Sequence, residues 1–264
     1  CDFDNDDPTV AQANLDADIA AWVAAQTAVI TGSLTGGSPA VSNDFTNQSI
    51  DLCTGGDLTV TWTIDDICET ITPTATYSLT TPTVVSFTNP TDNTVQSCDF
   101  DDQNELNTAF DNWVVAQSAA ITISNGCSPV LSNNSTSVSA PLLCDGGTTT
   151  VTWTITDLCE TINITADFNL TLPTAISFTN PADNNVQSCD FDNQTEVNTA
   201  FDNWVIAQSA AIAPTNGCTP VLSNNSTSVS APVLCDGGTT TVTWTITDLC
   251  ETINTITADF NLTA

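Results

Sequence analysis

Apolar and polar positions alternate with a period of two along residues 148–171. Val151, Trp153 and Ile155 fall on one face and Thr150, Thr152, Thr154 and Thr156 on the other, a pattern that predicts a half-buried strand. Ile164, Ala166, Phe168 and Leu170, alternating with Thr165, Asp167 and Asn169, continue as its hairpin partner. A third strand is expected in SPVLSNNS, ahead of the turn residues Pro141, Asp145, Gly146 and Gly147. One stretch keeps a different period: QNELNTAFDNWVVAQSAAI places Leu106, Phe110, Trp113, Val114 and Ile121 at helical spacing. Asp102 with Glu105, and Asn193 with Glu196, form capping-box patterns, while Asp7 before Pro8 gives the first helix a different start. The reading is a strand-rich unit with one amphipathic crossover helix packed across a sheet edge.

The whole pattern recurs. Cys98, Cys127, Cys144 and Cys159 return 91 residues later as Cys189, Cys218, Cys235 and Cys250, and Trp113 and Trp153 return as Trp204 and Trp244. An earlier copy holds Trp22, Cys53, Trp62 and Cys68 at the same spacing, but Cys1 lies 97 before Cys98, so six extra residues fall between Cys1 and Trp22. A period of this length is too long for a solenoid turn and suits one independently cored sandwich. The segment TLPTAISFTNPADNNVQ, with Ala175, Ser177 and Thr179 alternating between Pro173 and Pro181, reads as the opening strand of the following repeat. Boundaries near Pro82 and Pro173 give three repeats, 1–81, 82–172 and 173–264. The first then lacks its opening strand, either because the segment is cut from a longer polypeptide or because another chain supplies it by strand addition. The expected fold class is mainly β: tandem Ig-like β-sandwich domains, each with one inserted amphipathic helix.

Composition narrows what such a chain can do. Lys, Arg, His and Met are absent, and Asp plus Glu number 31. Without His, Lys or Arg there is no Ser-His-Asp or Cys-His nucleophile, Schiff base or phosphate clamp, so the chain reads as no enzyme and no catalytic residue is assigned. A net charge of −31 repels nucleic acid, because phosphate binding works by releasing counterions with basic side chains. Trypsin-like proteinases find no cleavage site. Eleven Cys at regular intervals read as disulfides and so as an oxidising, extracellular setting. There is no run of eighteen apolar residues, and the opening CDFDNDDP is not a signal peptide. Direct membrane insertion is therefore not expected, and any export signal or anchor would lie outside the segment.

The runs CDFDNQTEVNTAFDNWV, NGCTPVLSNNS and LCDGGTTTVTWTITDLCET together resemble the hyalin-repeat-like Ig-fold domains found in tandem in very large surface proteins of gliding bacteria. The resemblance covers all three copies and implies an extracellular stalk or adhesin shaft on the cell surface. The first copy departs from it, with Gly37 where the others have Cys127 and Cys218, and TIDDIC where they read TITDLC.

Four Cys per repeat allow three pairings. A helix of about twenty residues spans roughly 30 Å, which sets Cys98 and Cys127 at opposite ends of the repeat, with Cys144 near the former and Cys159 near the latter. The expected pairs are Cys98 with Cys144, Cys127 with Cys159, Cys189 with Cys235, Cys218 with Cys250 and Cys1 with Cys53, leaving Cys68 unpaired because its partner position holds Gly37.

The carboxylates Asp2, Asp4, Asp6 and Asp7, then Asp99, Asp101 and Asp102, then Asp190 and Asp192 stand at the helix starts. Alternating carboxylates suit Ca²⁺, and the competing reading is helix capping at the positive helix terminus. The outward Thr rows suggest ice-binding arrays but read as ordinary solvated strand faces. Trp62, Trp153 and Trp244 read as core, not as a sugar platform. Asn133, Asn163 and Asn169 lie in glycosylation sequons. The functional expectation is a disulfide-stapled, proteinase-resistant segment of a long surface protein or filament. Its partners would be neighbouring repeats and other copies, joined by strand addition or lateral packing. The alternative is a carbohydrate- or protein-binding module. The near identity of the second and third copies favours the former, since a spacer gains length from every copy.

Overall fold

The alternation around each central Trp becomes a strand because a helix covers its inward side chains. In a computed structural model of the chain, which describes residues 1–3 and 7–264, repeat 1 holds α1 (Pro8–Ser33), β1 (Ala40–Asn43), β2 (Gly56–Asp65), β3 (Thr70–Ile71) and β4 (Thr74–Leu79). Repeat 2 holds β5 (Ser86–Phe87), β6 (Asn93–Gln96), α2 (Gln103–Ala120), β7 (Ile123–Ser124), β8 (Val130–Asn133), β9 (Gly147–Thr156) and β10 (Thr161–Thr171). Repeat 3 holds β11 (Asn184–Gln187), α3 (Gln194–Ile212), β12 (Val221–Asn224), β13 (Gly238–Thr247) and β14 (Thr252–Thr263).

These elements gather into two compact units that do not follow the repeat boundaries at 82 and 173. One comprises Cys1–Thr91, Val115–Ser135 and Val151–Ala166, the other Asp92–Val114, Thr136–Thr150 and Asp167–Ala264, so repeat 2 gives residues to both.

In the first unit β2 is the central strand, with β1 antiparallel on one side and β3 and β4 antiparallel on the other. Ala11, Leu15, Ile19 and Val23 recur every four residues along α1 and are buried. Opposite them lie Ile50, Leu52, Val60 and Trp62. In the second unit the sheet order is β11-β14-β13-β12, with β11 parallel to β14 and the other pairs antiparallel. Val197, Phe201, Trp204, Val205 and Ile212 of α3 close a core with Val242, Trp244 and Ile246 of β13 and with Ile256, Ala258, Phe260 and Leu262 of β14. Each such large side chain contributes roughly 1.5–3 kcal/mol through burial. The corresponding sheet of repeat 2 has the order β6-β10-β9-β8. The chain is mainly β, with one long helix in each repeat.

Local departures from the repeat pattern have local causes. The segment 171–187 does hold the opening strand of repeat 3, but at its end and not at the alternating 175–179. Only Ser177 there makes a bridge, to Thr215, and the paired strands are Asn184–Gln187 and its counterpart Asn93–Gln96, both parallel to the last strand of their repeat. Asp183 and Asp92 set that register, each accepting the backbone N–H of the partner strand at 2.8 Å, from Asp259 and Asp167. In repeat 1 the hairpin partner of β2 is broken into β3 and β4 at Pro73, which has no N–H to give. Its carbonyl still accepts from Trp62 N–H at 2.9 Å. In repeat 3 the run TINTITADF carries one residue more than TINITADF. The ladder shifts register between Trp244 and Ile246 to absorb it, as a β-bulge does.

Candidate functional site

The chemistry of this chain is concentrated in its cysteines, and their pairing overturns the expected one. No bridge closes within a repeat. Cys1 bonds to Cys127 and Cys53 to Cys159, joining repeat 1 to repeat 2 inside the first unit, with Cα–Cα distances of 5.0 and 5.4 Å. Cys98 bonds to Cys218 and Cys144 to Cys250, joining repeat 2 to repeat 3 inside the second unit, at 4.9 and 5.2 Å. All four distances suit a disulfide. Cys68, Cys189 and Cys235 are free and exposed. The pairs Cys98 with Cys144, Cys127 with Cys159, Cys189 with Cys235, Cys218 with Cys250 and Cys1 with Cys53 are therefore corrected. Cys98 and Cys144 do fall in the same unit, as do Cys127 and Cys159. Each pair meets the complementary pair of the adjacent repeat, and the sulfurs bond across that junction instead of to each other. Cys68 is free for a reason other than its repeat's Gly37, because its counterparts Cys159 and Cys250 bond to the preceding repeat.

Cys53, Cys144 and Cys235 follow an arrangement that repeats. Gln12 donates from Nε2 to the Ile50 carbonyl at 2.9 Å and accepts Leu52 N–H on Oε1 at 2.9 Å. Gln103 does the same with Pro141 and Leu143, and Gln194 with Pro232 and Leu234. This clamp fixes the segment leading into Cys53, Cys144 and Cys235 to the start of the helix. Ahead of Cys53, Asp51 accepts N–H bonds from Cys53 and Thr54. Its carboxyl lies below the ordinary value because of the Thr54 N–H first, then the Thr54 hydroxyl and the Cys53 N–H.

Cys127 and Cys218, one cysteine of each junction, follow a glycine. Gly126 has φ +74°, and a Cβ there would meet Val85 Cγ2 at 2.6 Å, which explains the GC pair. Asp157 accepts Cys127 N–H at 2.8 Å, and Asp248 accepts Cys218 and Thr219 N–H at 2.9 and 2.7 Å. Burial opposes the charge of Asp248, but N–H bonds from Cys218, Thr219 and Leu249 together outweigh it and hold its carboxyl below the ordinary value. Next to Cys159, Leu158 packs against the Ala11, Leu15, Ile19, Ile50 and Leu52 cluster of repeat 1.

Two hollows flank the first junction. One of about 640 Å³ is lined by Pro8, Cys127, Ser128, Asp157, Cys159 and Glu160 among others. The other, about 480 Å³, has Cys1, Asp2, Phe3, Tyr77, Leu79 and Leu158 on its walls. Tyr77 donates to Asp18 Oδ2 at 2.6 Å. Its phenol is pushed up to about 12 by burial first, then by that hydrogen bond and by the negative charges of Asp18 and Asp2. Asp51 and Asp248 are shifted downward, the reverse of what a carboxyl proton donor requires.

Of the carboxylates singled out for Ca²⁺, those of Asp7, Asp99, Asp102 and Asp190 cap the turns that follow them or lie beside them. Asp7 caps α1, accepting Thr9 N–H at 2.9 Å, and Asp102 accepts Asn104 and Glu105 N–H at the start of α2. Asp99 and Asp190 accept Gln96 and Gln187 N–H, each at 3.1 Å. The backbone N–H groups of Asp101 and Asp192 donate to Glu105 and Glu196. Asp2 is exposed beside the smaller hollow, and Asp4 and Asp6 lie outside the described residues. Among the described residues no three Cys, Asp or Glu side chains gather into a metal-holding set.

Trp62, Trp153 and Trp244 are buried in the cores. The Thr rows are engaged across the sheet: Thr148 and Thr150 donate to Asn169 and Asp167, and Thr154 donates to Asn163. Asn133, in the first of the three sequons, accepts Ser135 N–H.

No protein-family profile matches the chain, and no curated protein matches it. Among solved structures, an I-band fragment of titin is similar at 7% identity and a TM-score of 0.24, over 88% of this chain and 84% of that one. Extracellular domains 3–5 of Drosophila OTK give 11% and 0.22 over 81% and 72%. An endo-fucoidan hydrolase of glycoside hydrolase family 107 gives 8% and 0.23 over 88% and 38%. Scores this low carry no argument about geometry or activity. The four bridges place the chain in an oxidising compartment, and among the described residues no helix is long and apolar enough to cross a membrane.

Proposed function

We propose that this chain is a load-bearing, adhesive segment of a long extracellular surface protein or filament, as the hyalin-repeat-like resemblance implies. The observation that carries the reading is the stagger of the bridges. Residues 1–127, 53–159, 98–218 and 144–250 form four overlapping covalent loops, so tension applied at the ends passes from repeat to repeat through sulfur. The shortest covalent route crosses Cys1–Cys127, follows 17 residue steps to Cys144, crosses to Cys250 and follows 14 more to Ala264. At about 3.5 Å per residue that route stretches to roughly 110 Å, against roughly 900 Å for the reduced chain.

Pulling single molecules by their ends tests this. The oxidised chain is expected to stop near the shorter limit and the reduced chain to run out to the longer one. Release of several hundred ångströms without reductant would refute a load-bearing role for the bridges.

A further inference from the structure

A left-handed pair of residues leads into one cysteine of each junction. Asn125 and Gly126 have φ +64° and +74°, and Asn216 and Gly217 have +64° and +67°. The second position admits no side chain: a Cβ on Gly126 would meet Val85 Cγ2 at 2.6 Å, and one on Gly217 would meet Asp248 Oδ2 at 2.7 Å. The first position suits asparagine, which visits the left-handed region more readily than most residues. The turn therefore calls for Asn-Gly, and the chain has no other such pair.

Asn-Gly is also the pair in which an asparagine side chain reacts most readily with its own backbone, because glycine leaves the following nitrogen unhindered. That nitrogen bonds to Asn Cγ and closes a five-membered imide. The side-chain nitrogen leaves as ammonia, carrying the proton that the glycine nitrogen gives up. Water then opens either ring carbonyl, leaving an ordinary aspartyl link or an isoaspartyl link with one more methylene in the backbone. One water enters, one ammonia departs and no electrons are exchanged.

In the folded chain the attacking nitrogens are occupied. Gly126 N–H donates to the Thr83 carbonyl and Gly217 N–H to the Thr174 carbonyl, each at 3.0 Å. The nitrogen must lose that proton to attack, so reaction waits for local opening. We infer that Asn125 and Asn216 are deamidation sites gated by the two junctions, unreactive while each turn keeps its bond and reactive once it opens. Return is then hindered. The new carboxylate adjoins the glycine that faces Asp157 or Asp248, whose carboxylates accept Cys127 and Cys218 N–H. The chain has no Lys, Arg or His to offset the added charge. Repeat 1 shows that such a turn can form without the amide, since Gly36 and Gly37, at φ +87° and +70°, make a left-handed pair beside Asp66.

The inference stands apart from the load-bearing reading, and its test applies no force. The oxidised chain, and the same chain reduced in denaturant, are held at pH 8 and 37 °C and mapped by mass spectrometry after digestion at Asp. In the unfolded chain Asn125 and Asn216 should convert before any other asparagine. In the oxidised chain both should convert at least tenfold more slowly. When the held, unfolded sample is refolded with oxidised glutathione, molecules converted at Asn125 or Asn216 should be depleted at least threefold among those that regain Cys1–Cys127 or Cys98–Cys218. A chain carrying both Asn125→Gly and Asn216→Gly should regain these bridges in undiminished yield after the same hold. The inference is overturned if both states convert at equal rates, if other asparagines react first in the unfolded chain, or if converted and unconverted molecules regain the bridges equally.

Discussion

Repeat 1 and repeat 3 share a core pattern but differ, among the described residues, in what pairs with their last strand and with the end of their helix. Repeat 3 carries β11 along the outer side of β14 and a bridge from Ser177 to Thr215. Among the described residues β4 of repeat 1 pairs only with β2. In repeat 2 the equivalents of Gly32 and Ser33 form β7 because Ser86 and Phe87 are there to pair with. In repeat 1 the same positions remain in α1, which ends at Ser33, four residues beyond the position where α2 ends at Ala120 and three beyond that where α3 ends at Ile212. The difference teaches that the helix end is decided by what lies beside it more than by its own residues. Gly32 is a poor helix former, yet it stays helical where none of the described residues forms a strand beside it.

The two junctions are alike even though the two repeats are not, and the largest expected effect tests that likeness. Replacing both members of Cys53–Cys159 by Ser, and separately both members of Cys144–Cys250, should each cost about 4 kcal/mol, since both close loops of 106 residues. Melting temperatures should fall by roughly 8–16 °C in each case. Unequal falls would break the equivalence of the junctions.

A smaller effect sharpens the contrast between the repeats. Pro73→Ile places in repeat 1 the residue that repeat 3 has at Ile256 and repeat 2 at Ile164, both buried. It restores a backbone donor and an inward side chain, so β3 and β4 should merge with a gain of about 1 kcal/mol. Calorimetry should show the melting temperature rising, and a fall would mean that Pro73 is fitted to its broken strand.

The smallest effects are electrostatic and separate the repeats by pH. Tyr77, the only tyrosine, has its folded value raised to about 12 from the ordinary 10. Its contribution is therefore fully present below pH 10 and is lost as pH rises toward 12. Absorbance at alkaline pH should show one phenol titrating late in the folded chain and at its ordinary value in denaturant. Asp248 in repeat 3 is shifted downward, so its contribution is present above the ordinary carboxyl range and is lost as pH falls through its folded value. Asp248→Asn should lower the melting temperature slightly at neutral pH, with the difference shrinking in strong acid.

Much of each repeat was legible in its own residues. Val151, Trp153 and Ile155 are fully buried and Leu106, Phe110, Trp113 and Val114 nearly so, because period-two and helical spacing report directly which side chains face inward. The placing of two cysteines at each end also followed from helix length. Their partners did not, since periodicity inside a repeat says nothing of what stands opposite its end. The glutamine clamp at Gln12, Gln103 and Gln194 was missed, although those residues recur at the repeat spacing. Thr255, the added residue of repeat 3, was likewise visible as a one-residue slip between TINI and TINTI. The alternation at 175–179 misled because, among the described residues, its backbone bonds only to Ile212 and Thr215, at and just after the end of α3, whereas the less patterned Asn184–Gln187 makes the ladder with β14.

The stagger of the bridges has one more consequence. Every peptide bond from Cys1 to Cys250 lies inside at least one sulfur-closed loop. A single backbone scission anywhere in that span leaves all pieces joined in one molecule, so damage by proteinase or hydrolysis is tolerated without shedding what lies beyond it.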